Sequence, residues 1–191
     1  MPSLYVIAGP NGAGKTTFVK RYLPRRLHLV EFVNADEIAR GLSPLAPERA
    51  QFEAGRLMLG RLRMFIGQKR DFAMETTLSG RTYRLILKQA KEAGYDTHLD
   101  FLLLPSVEDS IRRVAIRVTQ GGHNVPEADL RRRFRLGLQN LFALYRPYLD
   151  KWNLYLNGDD AELVAHGTPD KIEIVNKQLF NSLVTEFSLK P

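Results

Sequence analysis

The 191-residue chain contains no cysteine, so neither a disulfide framework nor a thiolate metal site is open to it. Histidine is scarce, and His28, His98, His123 and His166 are too scattered to read as a ligand set. No apolar run approaches the length of a membrane span, and no internal repeat, low-complexity tract or long linker interrupts the chain. The first residues lead straight into a strand and a loop, which leaves no stretch for a secretory leader; the expected location is the cytoplasm. These absences exclude disulfide scaffolds, cysteine-held zinc modules and membrane-spanning helices. What remains is 44% hydrophobic and 26% charged, the composition of an ordinary globular protein. Its length suits one α/β domain over 1–191 with a full core.

Against that plain background, residues 9–16 read Gly-Pro-Asn-Gly-Ala-Gly-Lys-Thr and match the phosphate-binding loop G-x-x-x-x-G-K-[ST]. Closely spaced glycines let backbone N–H groups turn inward around a polyphosphate where side chains would collide with it. Lys15 can reach the β- and γ-phosphates, and the Thr16 hydroxyl can join a Mg²⁺ shell. The context agrees: residues 3–8 read as a short buried strand and 16–22 as a helix whose N-terminus adds its dipole to the anion site. The expected ligand is a nucleoside triphosphate with Mg²⁺, held by Gly9, Asn11, Gly12, Ala13, Gly14, Lys15, Thr16 and Thr17.

Further candidate strands fall at 29–33, 72–75, 97–104 and 152–156, spaced to leave room for helices. That alternation predicts a P-loop NTPase sandwich of three layers, a mostly parallel sheet with helices on both faces. A helix over 47–68 places Ala54, Leu57, Met58, Leu62 and Phe65 on one stripe, and another over 128–146 repeats Leu130, Phe134, Leu138, Leu141 and Tyr145 before Pro147. Beyond Gly158 a short strand at 162–166 and a helix at 177–187 carry no evident chemistry.

Ligands of such sheets bind beyond the carboxyl ends of the strands, so the polar residues there are the candidates. Asp36, after the second strand, can take the proton of a hydroxyl attacking the γ-phosphate, or it can cap the helix that begins at Glu37. Glu75, at the end of the third strand, would be costly unpaired in the core; facing a Mg²⁺–phosphate cluster it can hold a metal-bound water or fix the substrate. Thr76, Thr77 and Ser79 can hydrogen-bond phosphate or sugar, and Gly80-Arg81 supplies a turn and a cation.

The charge is +7, with a pI of about 9.8, and much of the excess sits in one segment. Between Arg112 and Arg135 seven arginines face only Glu127 and Asp129, which suits closing over a triphosphate better than tracking a nucleic-acid backbone. Arg117 ends one helix and Arg131, Arg132 and Arg133 begin the next, with Gly121-Gly122-His123 between them, so 112–135 forms a candidate lid. One or two of these arginines can stabilise the transferring phosphoryl group.

Residues 9–17, Asn34-Ala-Asp-Glu, Phe72-Ala-Met-Glu-Thr-Thr, Arg117-Val-Thr-Gln-Gly-Gly-His, Val125-Pro and Arg131-Arg-Arg-Phe together resemble the zeta-toxin-like P-loop kinases, over about residues 3–157. The best-known members of that family phosphorylate the amino-sugar part of UDP-N-acetylglucosamine and are neutralised by a small antitoxin. The resemblance implies ATP and Mg²⁺ on Lys15 and Thr16, with Asp36 as the base for the sugar hydroxyl. It implies a substrate-side motif at Glu75 and Thr77, and an ATP clasp from Arg117 with Arg132 or Arg133. Thr76 stands where those members usually carry glycine, and the Asn-Ala-Asp-Glu and Gly-Gly-His strings are closer to a bacterial chromosomal branch.

Three readings follow. The first is a small-molecule kinase in which Lys15, Asp36, Arg117 and Arg133 are catalytic, Asp36, Glu75, Thr77 and Arg81 hold the acceptor, and Thr16 and Glu75 organise the metal. The second is an ATP-binding interaction module read by a protein partner. The third is a nucleic-acid end kinase, which would bind polynucleotides in a strongly salt-dependent way. The pairing of Asp36 with Glu75 favours the first.

Overall fold

In this computed structural model the described residues are 1–27, 31–122, 124–158 and 161–191. Strand β1 (Ser3–Ala8) ends in the glycine-rich loop and passes into α1 (Lys15–Leu27). Then come β2 (Phe32–Val33), α2 (Ala35–Leu42), a 3₁₀ turn at Pro47–Ala50, α3 (Gln51–Gly67) and β3 (Phe72–Thr76). Helix α4 (Tyr83–Glu92), β4 (Asp96–Leu103), α5 (Val107–Thr119) and α6 (Glu127–Asn140) follow. The chain closes with β5 (Lys151–Asn157), β6 (Ala161–Gly167), β7 (Ile172–Ile174) and α7 (Lys177–Phe187).

The strands form one sheet in the order β2-β3-β1-β4-β5-β6-β7. The first five are parallel, and β6 and β7 add an antiparallel hairpin at the far edge. The chain moves outward from β1 to β2, returns to β3 and then crosses β1 to reach β4, so the phosphate loop lies where the winding reverses. This is an α/β three-layer sandwich. On one face Phe72 packs on Phe65 of α3, and Trp152 meets Phe142, which also touches Phe180 of α7. On the other face Phe18 of α1 lies against Tyr155.

The apolar stripes are core. Ala54, Met58, Leu62 and Phe65 are fully buried, whereas Leu57 is turned outward and half exposed. The stripe from Leu130 to Tyr145 is buried throughout, but the α-helix stops at Asn140. A π turn over Leu141–Tyr145 and a 3₁₀ turn over Arg146–Tyr148 continue it, and Pro147 sits in the latter. The strand expected at 29–33 is seen as Phe32–Val33; residues 29 and 30 lie outside the described residues, as do His28 and His123. No helix among the described residues is long and apolar enough to cross a membrane.

Candidate active site

The carboxyl ends of β1, β2 and β3 bring the phosphate loop, the Asn34–Asp36 turn and the Glu75–Thr77 segment together. The loop is shaped by backbone that only glycine tolerates well. Gly12 and Gly14 have φ of +79° and +77°, and a Cβ on Gly12 would crowd Arg113 and Ser110 of α5. Ser110 donates to the Asn11 carbonyl at 2.7 Å and Asn157 donates to the Ala13 carbonyl at 2.7 Å, so α5 and β5 brace the loop.

Lys15 is only 6% exposed. Its ammonium donates to the Pro10 carbonyl at 2.9 Å and lies 3.7 Å from Glu75 Oε1. Burial pushes its pKa below the ordinary lysine value; Glu75 and Asp36 offset this in part, and Arg117 adds to it. Glu75 Oε2 accepts from Thr16 Oγ1 at 2.8 Å and from Asn34 Nδ2 at 3.0 Å. The carboxylate expected at the strand's end therefore sits within β3, opposite Ile7 of β1, and links three segments. Asn34 caps α2, its Oδ1 accepting from Asp36 N at 2.8 Å. Asp36 is consequently not the cap; its side chain is exposed in the first turn of α2.

Two hollows share this wall. The larger, about 320 Å³, is lined by Asn11, Gly14, Lys15, Thr16, Arg113 and Arg117 among others. The smaller, about 160 Å³, adds Thr76, Thr77, Tyr83 and Arg133. Asn11, Lys15, Asn34, Asp36 and Glu75 line both. The buried Oδ1 of Asn11 has no hydrogen-bond partner among the described residues, as expected of a wall that meets a ligand. A third hollow of about 710 Å³ beside β2 and α3 is larger but chiefly apolar, and it contains no residue of the phosphate loop.

A family model described as an AAA domain matches residues 4–135, over two-thirds of the chain. The chain belongs to the AAA-domain family. An uncharacterised protein of Haemophilus influenzae is 34% identical over 126 residues, covering 66% of this chain and 88% of that one. Among solved structures, AvrRxo1-ORF1 in complex with AvrRxo1-ORF2 and ATP superposes with a TM-score of 0.74 at 20% identity. The match covers 95% of this chain, which spans only 63% of that one. The PezAT chromosomal toxin–antitoxin system of Streptococcus pneumoniae gives 0.64 at 15% identity, over 100% of this chain and 88% of that one. These likenesses show a shared fold.

In this AAA domain the arginine segment folds as a hairpin of α5 and α6. Val114, Val125 and Leu130 form a small apolar cluster of its own, with Ile111 and Val118 packed on it. Gly121, at φ +81°, closes the end of α5. The hairpin does not present all its arginines to the site. Arg117 lines the larger hollow and Arg133 the smaller. Arg132 pairs with Asp129 at 2.7 Å and Arg131 with Glu108 and Glu127, on the outer surface. Neither Arg132 nor Arg81 is among the residues lining the two hollows, and Thr17 is exposed at the edge of the larger one.

Three contributors escaped the sequence reading. Arg113 lines the larger hollow and donates to the Gly158 carbonyl at 3.2 Å. Asn34 was visible only as part of a string; the tie to Glu75 depends on strand register. Tyr83 carries no motif signal at all. The Thr77 loop is held tightly as well: Leu78 is buried at φ +57°, a left-handed conformation rare for leucine, with its N–H on Thr76 Oγ1.

Proposed function

We propose that this AAA domain is an ATP- and Mg²⁺-dependent phosphotransferase that moves the γ-phosphate to a hydroxyl of a small molecule. The observation that carries the reading is the placement of Asp36, an exposed carboxylate in the wall common to the phosphate hollow and the smaller hollow beside it. A hydroxyl in the smaller hollow would lie next to a base on one side and a phosphate cradle on the other. Asp36 takes the hydroxyl proton, the oxygen bonds to the γ-phosphorus, and the β–γ bridging bond breaks with its electrons leaving on ADP. Lys15 and Arg117 face the polyphosphate, and Arg133 enters from the acceptor side to meet the charge on the transferring group. Thr16 and Glu75 fit a Mg²⁺ that keeps most of its water, since that ion is commonly held by one or two carboxylates plus substrate phosphates. When bound, it would neutralise charge on the β- and γ-oxygens.

The resemblance of the motifs at 9–17, 34–37 and 72–77 to the zeta-toxin-like kinases supports UDP-N-acetylglucosamine or a related nucleotide sugar as acceptor. The ORF1:ORF2 and PezAT structures are toxin–antitoxin or two-protein assemblies by their own descriptions, which supports a small protein antitoxin as partner here. The deciding experiment is transfer of the γ-phosphate of labelled ATP into UDP-N-acetylglucosamine and a panel of sugars, nucleosides and oligonucleotides. Lys15→Ala and Asp36→Ala proteins run alongside. Product that disappears in both variants is the expected result; ATP binding without transfer to anything would replace the kinase by a nucleotide-gated interaction module.

A further inference from the structure

Tyr83 opens α4 and lines the small hollow together with Asp36, Glu75, Thr77 and Arg133. The one hydrogen bond its hydroxyl makes among the described residues is to the thioether of Met58, at 3.2 Å. Thioether sulfur is a weak acceptor. Two fully buried tyrosines do better. Tyr95 reaches the carbonyls of Phe65 at 2.9 Å and Arg70 at 2.8 Å, and Tyr145 donates to the Gly80 carbonyl at 2.7 Å. A phenol largely shielded from water normally has a strong partner, and Tyr83 is half-buried against the core. One that rests on sulfur at the edge of a polar hollow keeps its hydrogen-bonding capacity for a ligand.

The position of that hydroxyl is fixed before any ligand arrives. Met58 is fully buried on α3. The loop leading into α4 is pinned by Asn140, which donates to the Leu78 carbonyl at 2.9 Å, and by the Tyr145 bond to Gly80. Gly137 brings α6 so close that a Cβ there would lie 2.6 Å from the Thr77 carbonyl oxygen. Burial also keeps the phenol neutral, its pKa pushed up to about 12, so it is available as an O–H donor and does not compete with Asp36 as a base. The hollow of about 160 Å³ is small. It equals roughly five waters' share of liquid volume, room for a single ring, and it shares a wall with the larger hollow.

We propose that Tyr83 selects and orients the acceptor, donating its O–H to an oxygen adjacent to the hydroxyl that Asp36 deprotonates. The acceptor group is then a compact polyol with neighbouring oxygens, a sugar ring either free or at the end of a larger molecule. This rests on the phosphotransfer reading of the site.

The test crosses the protein with the substrate. Tyr83→Phe should raise the acceptor KM about tenfold, the loss of one well-placed hydrogen bond, while the ATP KM and the unfolding midpoint stay as in the wild type. Deoxy analogues lacking the neighbouring oxygen should lose about tenfold with the wild type and nothing further with Tyr83→Phe. Free sugars and their nucleotide-linked forms, run in parallel, tell which kind of molecule presents the ring. An unchanged acceptor KM in Tyr83→Phe, or a change confined to the ATP KM, overturns the proposal and leaves the phosphotransfer reading standing. If the wild type transfers phosphate to nothing, that reading falls, and Tyr83 is judged by direct binding of the same sugars to protein loaded with a non-hydrolysable ATP analogue. Binding that Tyr83→Phe weakens supports the assignment; no binding, or binding that it leaves unchanged, overturns it.

Discussion

Thr16 donates its hydroxyl hydrogen to Glu75 Oε2 across 2.8 Å, joining the first turn of α1 to the third strand. Both residues can belong to a Mg²⁺–phosphate cluster, and here they satisfy each other. Glu75 also takes a hydrogen bond from Asn34 and stands 3.7 Å from the Lys15 ammonium. The site is thus assembled by its own charges, and a nucleotide has to exchange partners with groups already in place. That exchange makes the cluster separable by experiment.

Removing the carboxylate leaves Lys15 buried without its anion. Glu75→Ala should destabilise the nucleotide-free protein by about 3 kcal/mol, the usual result of breaking a buried pair from one side. In Lys15→Ala/Glu75→Ala the second substitution removes the charge that the first exposed, so the double variant should lose clearly less than the sum, by about 1 kcal/mol or more. Urea unfolding of the four proteins measures this; strict additivity would show that the 3.7 Å pair carries no coupling.

Magnesium should follow nucleotide and not precede it. Among the described residues no group of three histidine or carboxylate side chains could hold a metal ion. Thr16 and Glu75 offer one hydroxyl and one carboxylate, too few to compete with the hydration of Mg²⁺. Calorimetric titration of Mg²⁺ should give no saturable heat with the free protein and a saturable one with the ATP-loaded protein. Tight binding to the free protein would place the metal at some other set of ligands.

Lys15 predicts a pH dependence with a definite sign. Its folded value is depressed below 10.5, chiefly by burial, and a bound polyphosphate would favour the charged form and raise it again. Binding should therefore take up protons between the two values, and affinity should fall as pH rises through the value of the free protein, starting below 10.5. The free protein's stability runs the other way. The unfolded chain binds this proton more tightly, so the contribution of Lys15 to stability rises with pH across the window from its depressed value to 10.5. Calorimetry in buffers of different ionisation enthalpy reads the proton uptake, and Lys15→Arg should abolish it.

The sheet and the phosphate loop were legible because each is a local pattern: glycine spacing, apolar runs and helical stripes report on their own neighbourhood. The Asp36 and Glu75 candidates were legible from the rule that ligands gather beyond strand ends. What sequence could not supply was register and rotation. That Glu75 meets Thr16 depends on its pairing opposite Ile7, and that Asn34 rather than Asp36 caps α2 depends on backbone angles. Arg132 and Arg133 are neighbours in sequence about 100° apart around a helix, and only the packing of α5 on α6 decides which one looks inward. Leu57 failed for the same reason, lying at helical spacing from Ala54 yet on the edge of the buried stripe.

That rotation sorts the arginines. Arg113→Ala and Arg117→Ala should each weaken ATP binding about tenfold, since each removes a guanidinium from the larger hollow. Arg133→Ala, in the smaller hollow, should lower kcat more than it raises the ATP KM, because its charge is placed for the transferring group. Arg132→Ala and Arg81→Ala should change ATP affinity less than about twofold; Arg132 already satisfies Asp129 on the exposed face. Equilibrium binding of a fluorescent ATP analogue ranks the series. An Arg132→Ala effect as large as that of Arg117→Ala would mean that α6 rotates when ATP binds.

The glycines of the loop should separate into one that serves the fold and one that serves the ligand. Gly9 has φ +140°, and a Cβ there would stand 2.1 Å from the Leu102 carbonyl oxygen. Both partners are backbone, fixed by the pairing of Ala8 with Phe101, so neither can retreat without breaking the β1–β4 ladder. Gly9→Ala should therefore cost about 3 kcal/mol or more, with the loss visible in the absence of any nucleotide. Gly14 has φ +77°, and its Cβ would meet the end of the Asn157 side chain at 3.2 Å, which can swing aside only by giving up its bond to the Ala13 carbonyl. Gly14→Ala then carries the conformational cost of a non-glycine residue at positive φ and the loss of one hydrogen bond, together about 2 kcal/mol. Relaxing that strain tilts the N–H groups that face the phosphates, so ATP affinity should fall by more than the loss of stability would require. Urea midpoints and ATP dissociation constants, measured on both variants, test the division: a stable Gly9→Ala protein, or a Gly14→Ala protein that binds ATP normally, contradicts it.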